Sequence, residues 1–225
     1  MTDHNRLARL VPLAGVVFAV LTVAGYLTIG PFPDSGASVS ELTSFYAAHH
    51  GQVAAGGQLP GLAAIFLALF GTAVWARIRS SDLHPVLAGT ALVGTAMAAV
   101  SSVDGAGAYS ILGEIGHQPW LLPAALQAAH IRGTVGGIDG GTVLFLLAVA
   151  TAGIAGRAFP RWLAWPALVL AVVYLTPFGY FASLLVLLWA AVTGIVMAVR
   201  PTPRVAATAE VAAPAVGGGP ALSSR

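Results

Sequence analysis

The chain has 225 residues, of which 57% are hydrophobic and 8% are charged, and its mean hydropathy is +0.86. A soluble domain usually has about 25% charged residues, so this composition excludes a water-soluble globular protein and indicates a membrane protein. The chain has no cysteine and no lysine, which excludes disulfides, Cys-ligated metal sites and lysine Schiff bases. The net charge of +2 does not favour nucleic-acid binding, because the arginines lie at the ends of predicted helices.

Apolar windows with few or no charges predict an all-α polytopic bundle of six transmembrane helices. A membrane-spanning helix needs about 20 apolar residues. The predicted spans are about 10–29, 57–76, 86–105, 137–156, 162–179 and 181–199. They form one domain, residues 1–200, and residues 201–225 are predicted to be a disordered cytoplasmic tail because they have no periodic apolar pattern.

The first apolar segment, residues 10–29, follows Arg6 and Arg9. A secretory signal has an apolar core of about 7–15 residues. This segment is longer, and we interpret it as a retained first span.

The segment between the first two spans contains an N-terminal helix signal. Ser38 and Glu41 have the spacing of a capping box, and apolar residues then recur at helical intervals. We expect a short amphipathic helix on the outer membrane surface. Two pairs of small residues, Gly57 with Gly61 and Gly136 with Gly140, predict close helix packing.

Residues 161–200 are almost continuously apolar, with only Thr176 to Gly179 available for a turn. One helix of forty residues would measure about 60 Å, twice the apolar thickness of a bilayer. A tight hairpin of two spans is therefore favoured, with Trp189 packed inside the bundle.

The distribution of arginine predicts the orientation. With a cytoplasmic N-terminus, nine of the ten arginines lie on the cytoplasmic side and only Arg132 lies outside. Cytoplasmic loops retain positive charge. We therefore expect a multi-pass plasma-membrane protein with both termini cytoplasmic.

The stretch "HIRGTVGGIDGG", residues 130–141, gathers three ionisable residues in a chain with few charges. Arg132 and Asp139 would share one helix face if the fourth helix continued through them, and the third span brings Asp104 to the same outer level. One interpretation is a structural ion pair of Asp104, Arg132 and Asp139. Charged groups near the membrane interior are also candidates for function.

Other readings of this outer cluster remain open. His49, His50 and His130 fall on the same side, and histidines with carboxylates suit zinc, iron, haem or acid–base chemistry. The spacing matches no metal motif, so no metal or cofactor is expected. Asp104 or Asp139 with His130 would be the catalytic residues of a membrane-embedded enzyme that acts on a lipid or isoprenoid. A small transporter is a further alternative, although the centres of the spans are apolar.

The basic start "RLARLVPLAG", the acidic loop "PFPDSGASVSELTSFYAAHH" and the pair Arg77 and Arg79 are similar to features of small six-span bacterial integral membrane proteins of unknown function. The resemblance implies an architecture and no activity. The sequence thus predicts a scaffold, sensor or accessory subunit in the lipid bilayer, with a lipid or isoprenoid as a possible ligand; the oligomeric state stays open.

Overall fold

The computed structural model describes residues 10–31, 33, 37–81, 83–115, 118, 120–121, 123, 139–156, 158–176 and 179–200. The fold is all-α, as predicted. A 3₁₀ turn, Val11–Leu13, leads into the first of the six helices whose bounds lie within the described residues. They are α1 (Ala14–Ile29), α2 (Val39–Arg79), α3 (Pro85–Ile115), α4 (Gly140–Ile154), α5 (Arg161–Tyr174) and α6 (Gly179–Val199).

The helices form a closed ring in which each packs against its neighbours in the chain and α6 returns to α1. Three aromatic side chains meet inside this ring. Phe145 lies edge-on to Phe70 and to Trp189, with ring centroids 6.1 Å and 6.0 Å apart. Such edge-to-face pairs are favourable beyond their buried area. The indole of Trp189 also donates a hydrogen bond to the Leu163 carbonyl at 3.0 Å, which confirms the predicted buried position of Trp189.

Glycines set the distance between neighbouring helices. A Cβ atom built at Gly57 would lie 2.6 Å from Cβ of Tyr109, and one built at Gly61 would lie 3.0 Å from Cβ of Ala106. The first predicted glycine pair therefore packs against α3, as expected.

Of the second predicted glycine pair, the described member, Gly140, is not the packing site of α4. Space around Gly140 is open, and the close approach to α3 occurs one residue later, at Gly141. On α3 the matching position is Gly94, where a Cβ atom would lie 2.6 Å from the Phe145 backbone nitrogen. The register of α4 against α3 decides which glycine faces its neighbour, and Gly136 lies outside the described residues.

Four helical segments are long and apolar enough to cross a membrane: Val11–Ile29, Val39–Arg79, Pro85–Ile115 and Ala182–Val199. The helices α4 and α5 have only 15 and 14 residues, about 22 Å at 1.5 Å per residue. They are shorter than the predicted spans because α4 starts only after its N-cap, Asp139, and α5 already ends at Tyr174. Large apolar side chains point outward from the ring, as lipid contact requires. Examples are Val20, Leu27, Ile65, Val100, Val172 and Leu188.

The short helix predicted after the first span forms: it follows the Ser38 cap and ends at a kink at His49 (φ −115°, ψ 16°), beyond which the second part of α2 runs to Arg79. Its position on the outer membrane surface stays a prediction. The capping box is confirmed, since the backbone nitrogen of Ser38 donates to Glu41 at 2.7 Å. The short helix is held by packing, because Tyr46 forms a buried apolar cluster with Ile29, Val53 and Leu112.

The helix α3 also continues beyond its predicted end near residue 105, as far as Ile115. Its last turns pack against the N-terminal part of α2, and a Cβ atom at Gly113 would lie 2.6 Å from the Ala54 backbone nitrogen. The part of α2 beyond the kink at His49 has 30 residues and is about 45 Å long, which exceeds the roughly 30 Å apolar layer. The two long helices thus form a hairpin that extends past the other four.

The apolar stretch 161–200 forms two helices that pack together, α5 and α6, as the hairpin interpretation predicted. The chain turns at Leu175 and Thr176. The predicted disordered tail, residues 201–225, lies outside the described residues.

Candidate functional site

One end of the bundle is closed by an arginine. Nε of Arg77 donates to the Ala158 carbonyl and its Nη1 donates to the Arg200 carbonyl, each at 2.8 Å. Its guanidinium also lies 5.6 Å from the centre of the Phe159 ring. The carbonyls at a helix C-terminus lack partners within the helix, so Arg77 satisfies the end of α6 and joins it to α2 and to the α4–α5 connection.

The opposite end is organised by Asp139, the N-cap of α4. Its Oδ1 accepts a hydrogen bond from the Gly141 backbone at 3.1 Å, and its Oδ2 accepts one from the Thr142 hydroxyl. Ser101 of α3 donates to Oδ1 at 3.4 Å. An aspartate is among the best N-cap residues because its oxygens satisfy unpaired helix N–H groups. Asp139 therefore both starts α4 and links it to α3.

The position of Asp139 corrects the geometry predicted from the sequence. Its backbone (φ −72°, ψ 87°) is not helical, and α4 begins only at Gly140. The seven-residue spacing therefore does not place Arg132 and Asp139 on one helix face. Arg132 lies outside the described residues, and its pairing with Asp104 and Asp139 stays a prediction.

A cavity of about 210 Å³ opens beside Asp139, and all six helices contribute to its wall. Asp139 is the only charged residue among the described residues that line it. Its polar neighbours are mainly hydroxyl side chains: Thr22, Ser101, Ser102, Thr142, Tyr174 and Ser183. The apolar part of the wall includes Phe18, Leu67 and Leu187. The cavity is thus amphipathic, with its carboxylate at the N-terminus of α4.

The aromatic cluster of Phe70, Phe145 and Trp189 separates this cavity from the arginine end. Along α2 and α6, Phe70 follows the wall residue Leu67 and Trp189 follows Leu187, in both cases toward the arginine end. The aromatic side chains therefore fill the interior of the bundle between the cavity and the arginine end.

The other predicted carboxylate, Asp104, lies elsewhere on α3. It is exposed and is not part of the cavity wall, although it is only one turn from Ser101. The prediction that Asp104 and Asp139 lie at a similar level agrees with the Ser101–Asp139 contact. Only Asp139, however, faces the cavity.

The described histidines do not join the cavity either. His49 Nδ1 lies 2.9 Å from the Phe45 carbonyl oxygen, and the rings of His49 and Phe45 stack with their centroids 4.7 Å apart. His50 is exposed, with Nδ1 3.2 Å from the Ala47 carbonyl. His130 lies outside the described residues. Within the described part of the chain, no three histidine or carboxylate side chains are grouped as a metal site.

Sequence reasoning missed the hydroxyl residues around Asp139. Ser101 and Ser102 are adjacent on the apolar helix α3, and Thr142 follows Asp139 by three residues. Adjacent serines in a membrane helix are a weak signal, since a serine hydroxyl can bond to its own helix. Tyr174 and Ser183, which lie 3.1 Å apart through their hydroxyl oxygens, carried no signal at all.

No family model, curated protein or solved structure matches this chain. Its class is therefore defined by its own fold and site: an all-α protein with four helices able to span a membrane and an amphipathic cavity inside the bundle.

Proposed function

We propose that the protein is a six-span plasma-membrane protein with both termini cytoplasmic, and that it acts as a sensor or accessory subunit that binds a small molecule beside Asp139. The observation that carries this proposal is the cavity itself, which all six helices line and in which Asp139 is the one charged group of the described wall. Ligand sites in helix bundles are typically concave and apolar, with a few polar groups that orient the ligand.

The arginine end supports the proposed orientation. Arg77 contacts the Ala158 and Arg200 carbonyls, so the ends of α2, α4 and α6 lie together with the start of α5, where Arg161 is located. Positive charge of this kind is retained on the cytoplasmic side. The helices α4 and α5 also cross the membrane, packed between the other helices, and bring the number of spans to six. Local thinning of the bilayer accommodates their short length.

The described contacts favour binding over the alternative enzyme and transport functions. Asp139 accepts hydrogen bonds from a backbone N–H and two hydroxyls, which is the role of a cap, and neither His49 nor His50 is in the cavity wall. An acid–base pair is therefore not assembled among the described residues. A transport pathway would need to pass the aromatic cluster below the cavity.

The binding proposal can be tested with two matched glycine variants of α3. Gly105 lines the cavity and Gly107 does not, and a Cβ atom meets nothing within 4 Å at either position. Gly105→Leu should fill the cavity without a backbone clash, whereas Gly107→Leu should leave it open. The probes are three single-ring compounds with different head groups: 2-phenylethylamine, 2-phenylethanol and 3-phenylpropionate.

At least one probe should raise the melting temperature of the purified wild-type protein and of Gly107→Leu in a saturable way, but not that of Gly105→Leu. A bound ligand stabilises the folded state by mass action. If all three probes leave the wild type unchanged, or act equally on Gly105→Leu, the binding function is wrong. A reporter fused after residue 200 should be active on the cytoplasmic side, and activity on the outer side would overturn the orientation.

A further inference from the structure

We propose that the cavity beside Asp139 takes a small organic ammonium ion, a protonated primary amine on a compact apolar body. This inference rests on the proposed binding function and specifies its ligand class. It is argued from the hydrogen-bond state of the wall, the charge at the site, and the size and character of the space.

Two wall hydroxyls have already used their protons within their own helices. Thr22 donates to the Phe18 carbonyl at 2.8 Å, and Ser102 donates to the Ala98 carbonyl at 2.9 Å. A hydroxyl group has one proton and two lone pairs. Once that proton is donated, only the lone pairs remain for a ligand, so Thr22 and Ser102 are acceptors toward the cavity.

Two further hydroxyls donate to Asp139, namely those of Ser101 and Thr142. They too retain only lone pairs for a ligand. The carboxylate has about four acceptor positions on its two oxygens, and the described donors, including the Gly141 backbone, use three of them. This part of the described wall therefore offers hydrogen-bond acceptors to a ligand, and a primary ammonium brings three donors.

The charge at the site also favours a cation. Asp139 contributes a full negative charge, whereas the N-terminus of α4 contributes about half a positive charge. The C-terminal end of α5 at Tyr174 and the first turns of α6 near Ser183 both reach the wall, and their opposed partial charges offset each other. An anionic ligand would face the carboxylate, while a cation would be attracted to it.

The dimensions of the cavity limit the ligand to a small molecule. Its volume of about 210 Å³ lies just below the roughly 300–1,000 Å³ of typical ligand pockets, which suits one ring with a short chain. Phe18, Leu67 and Leu187 provide an apolar surface for such a ring. The aromatic rings of Tyr26, Tyr109 and Tyr174 are also in the wall, and aromatic faces attract ammonium groups.

The test is a titration of the purified full-length protein with 2-phenylethylamine hydrochloride, 2-phenylethanol, or sodium chloride at the same concentration. Binding is measured by calorimetry and by the melting temperature. The variants are Asp139→Asn, Gly105→Leu and two controls, Asp104→Asn and Gly107→Leu. Asparagine is as good an N-cap as aspartate, so Asp139→Asn removes the charge and keeps the start of α4.

The amine should bind to the wild type and to both controls with the same affinity. Asp139→Asn should weaken amine binding at least tenfold, and Gly105→Leu should abolish it. The alcohol should bind much more weakly than the amine, and its binding should not depend on the charge of residue 139.

Four results would overturn the ammonium assignment. If the alcohol binds as tightly as the amine, or if Asp139→Asn keeps full affinity for the amine, the cavity binds a different class of ligand. The proposed binding function would still stand. Stabilisation by sodium chloride alone that equals the effect of the amine salt would assign the site to an inorganic cation. If neither the amine, the alcohol nor 3-phenylpropionate binds, the binding function fails as well.

Discussion

The two halves of the bundle are built from the same helices but differ in how their interiors are filled. Toward the arginine end, Phe70, Phe145 and Trp189 meet edge to face and close the interior. Toward Asp139, small hydroxyl residues line the ring and leave a space of about 210 Å³. Large side chains thus fill the interior in one half, whereas in the other half a polar network coexists with open volume.

The largest expected effect is the loss of the aromatic cluster. Trp189→Ala should lower the free energy of unfolding by about 4 kcal/mol, because truncation of a buried tryptophan leaves an unfilled cavity. Trp189 is 5% exposed and also donates a hydrogen bond to Leu163. Trp189→Phe, the control, should lose mainly that hydrogen bond, about 1 kcal/mol. Denaturation in mixed micelles measures the free energy of unfolding of both variants. Equal stability of Trp189→Ala and the wild type would contradict the contrast between the two halves of the bundle.

The next effect concerns the closure of the arginine end. Arg77→Gln should cost about 2 kcal/mol, since hydrogen bonds from a charged donor to the Ala158 and Arg200 carbonyls are lost. Arg79 has a ring contact with Trp75 at 5.5 Å, and Arg79→Gln should cost less than about 1 kcal/mol. Thermal melts of the two variants in the same detergent compare them directly. A larger loss of stability in Arg79→Gln than in Arg77→Gln would show that Arg77 does not hold the helix ends together.

Substitutions in the half of the bundle that contains the cavity should lower stability less. Asp139→Ala removes the N-cap of α4 and should cost about 1 kcal/mol, whereas Asp139→Asn keeps a cap and should be near neutral. The same melts provide the measurement. If Asp139→Asn were as destabilising as Asp139→Ala, the charge itself would be the structural element, as the predicted ion pair with Arg132 requires.

The smallest effect has the opposite sign. Thr193 is fully buried, and its hydroxyl has no hydrogen-bond partner among the described residues. Thr193→Val should raise stability by up to about 1 kcal/mol, because a buried polar group without a partner is costly. Thr95 is equally buried but donates to the Ala91 carbonyl at 2.8 Å, so Thr95→Val should not stabilise. A gain in both variants would mean that side-chain packing, not the missing partner, controls these sites.

The sequence predicted the features that depend on neighbouring residues. The Ser38–Glu41 capping box formed as expected because it involves one turn of helix. The hairpin of α5 and α6 was also predictable, since a single helix would exceed the bilayer thickness. The sequence also singled out Asp139, because a charge beside a long apolar helix is rare, and its predicted roles in an ion pair or in acid catalysis stay predictions.

Two of the differences from prediction depended on packing between distant segments, and a third on where α4 begins. Nothing local showed that the segment starting at Val39 would join the second span, because Tyr46 and Val53 are buried by Ile29 and Leu112 from other helices. The choice of Gly141 over Gly140 depends on the rotation of α4 against α3. The shared face of Arg132 and Asp139 assumed a helix that instead starts at Gly140.

By itself, the amino-acid sequence determined that the chain is helical and suited to a membrane, because apolar composition, segment length and caps act within single helices. Only the tertiary structure decided that hydroxyls from separate helices surround one carboxylate and that an aromatic cluster closes the space below it. The physical reason is that a cavity is a property of how side chains from several helices fail to fill the volume between them, and no single segment contains that information.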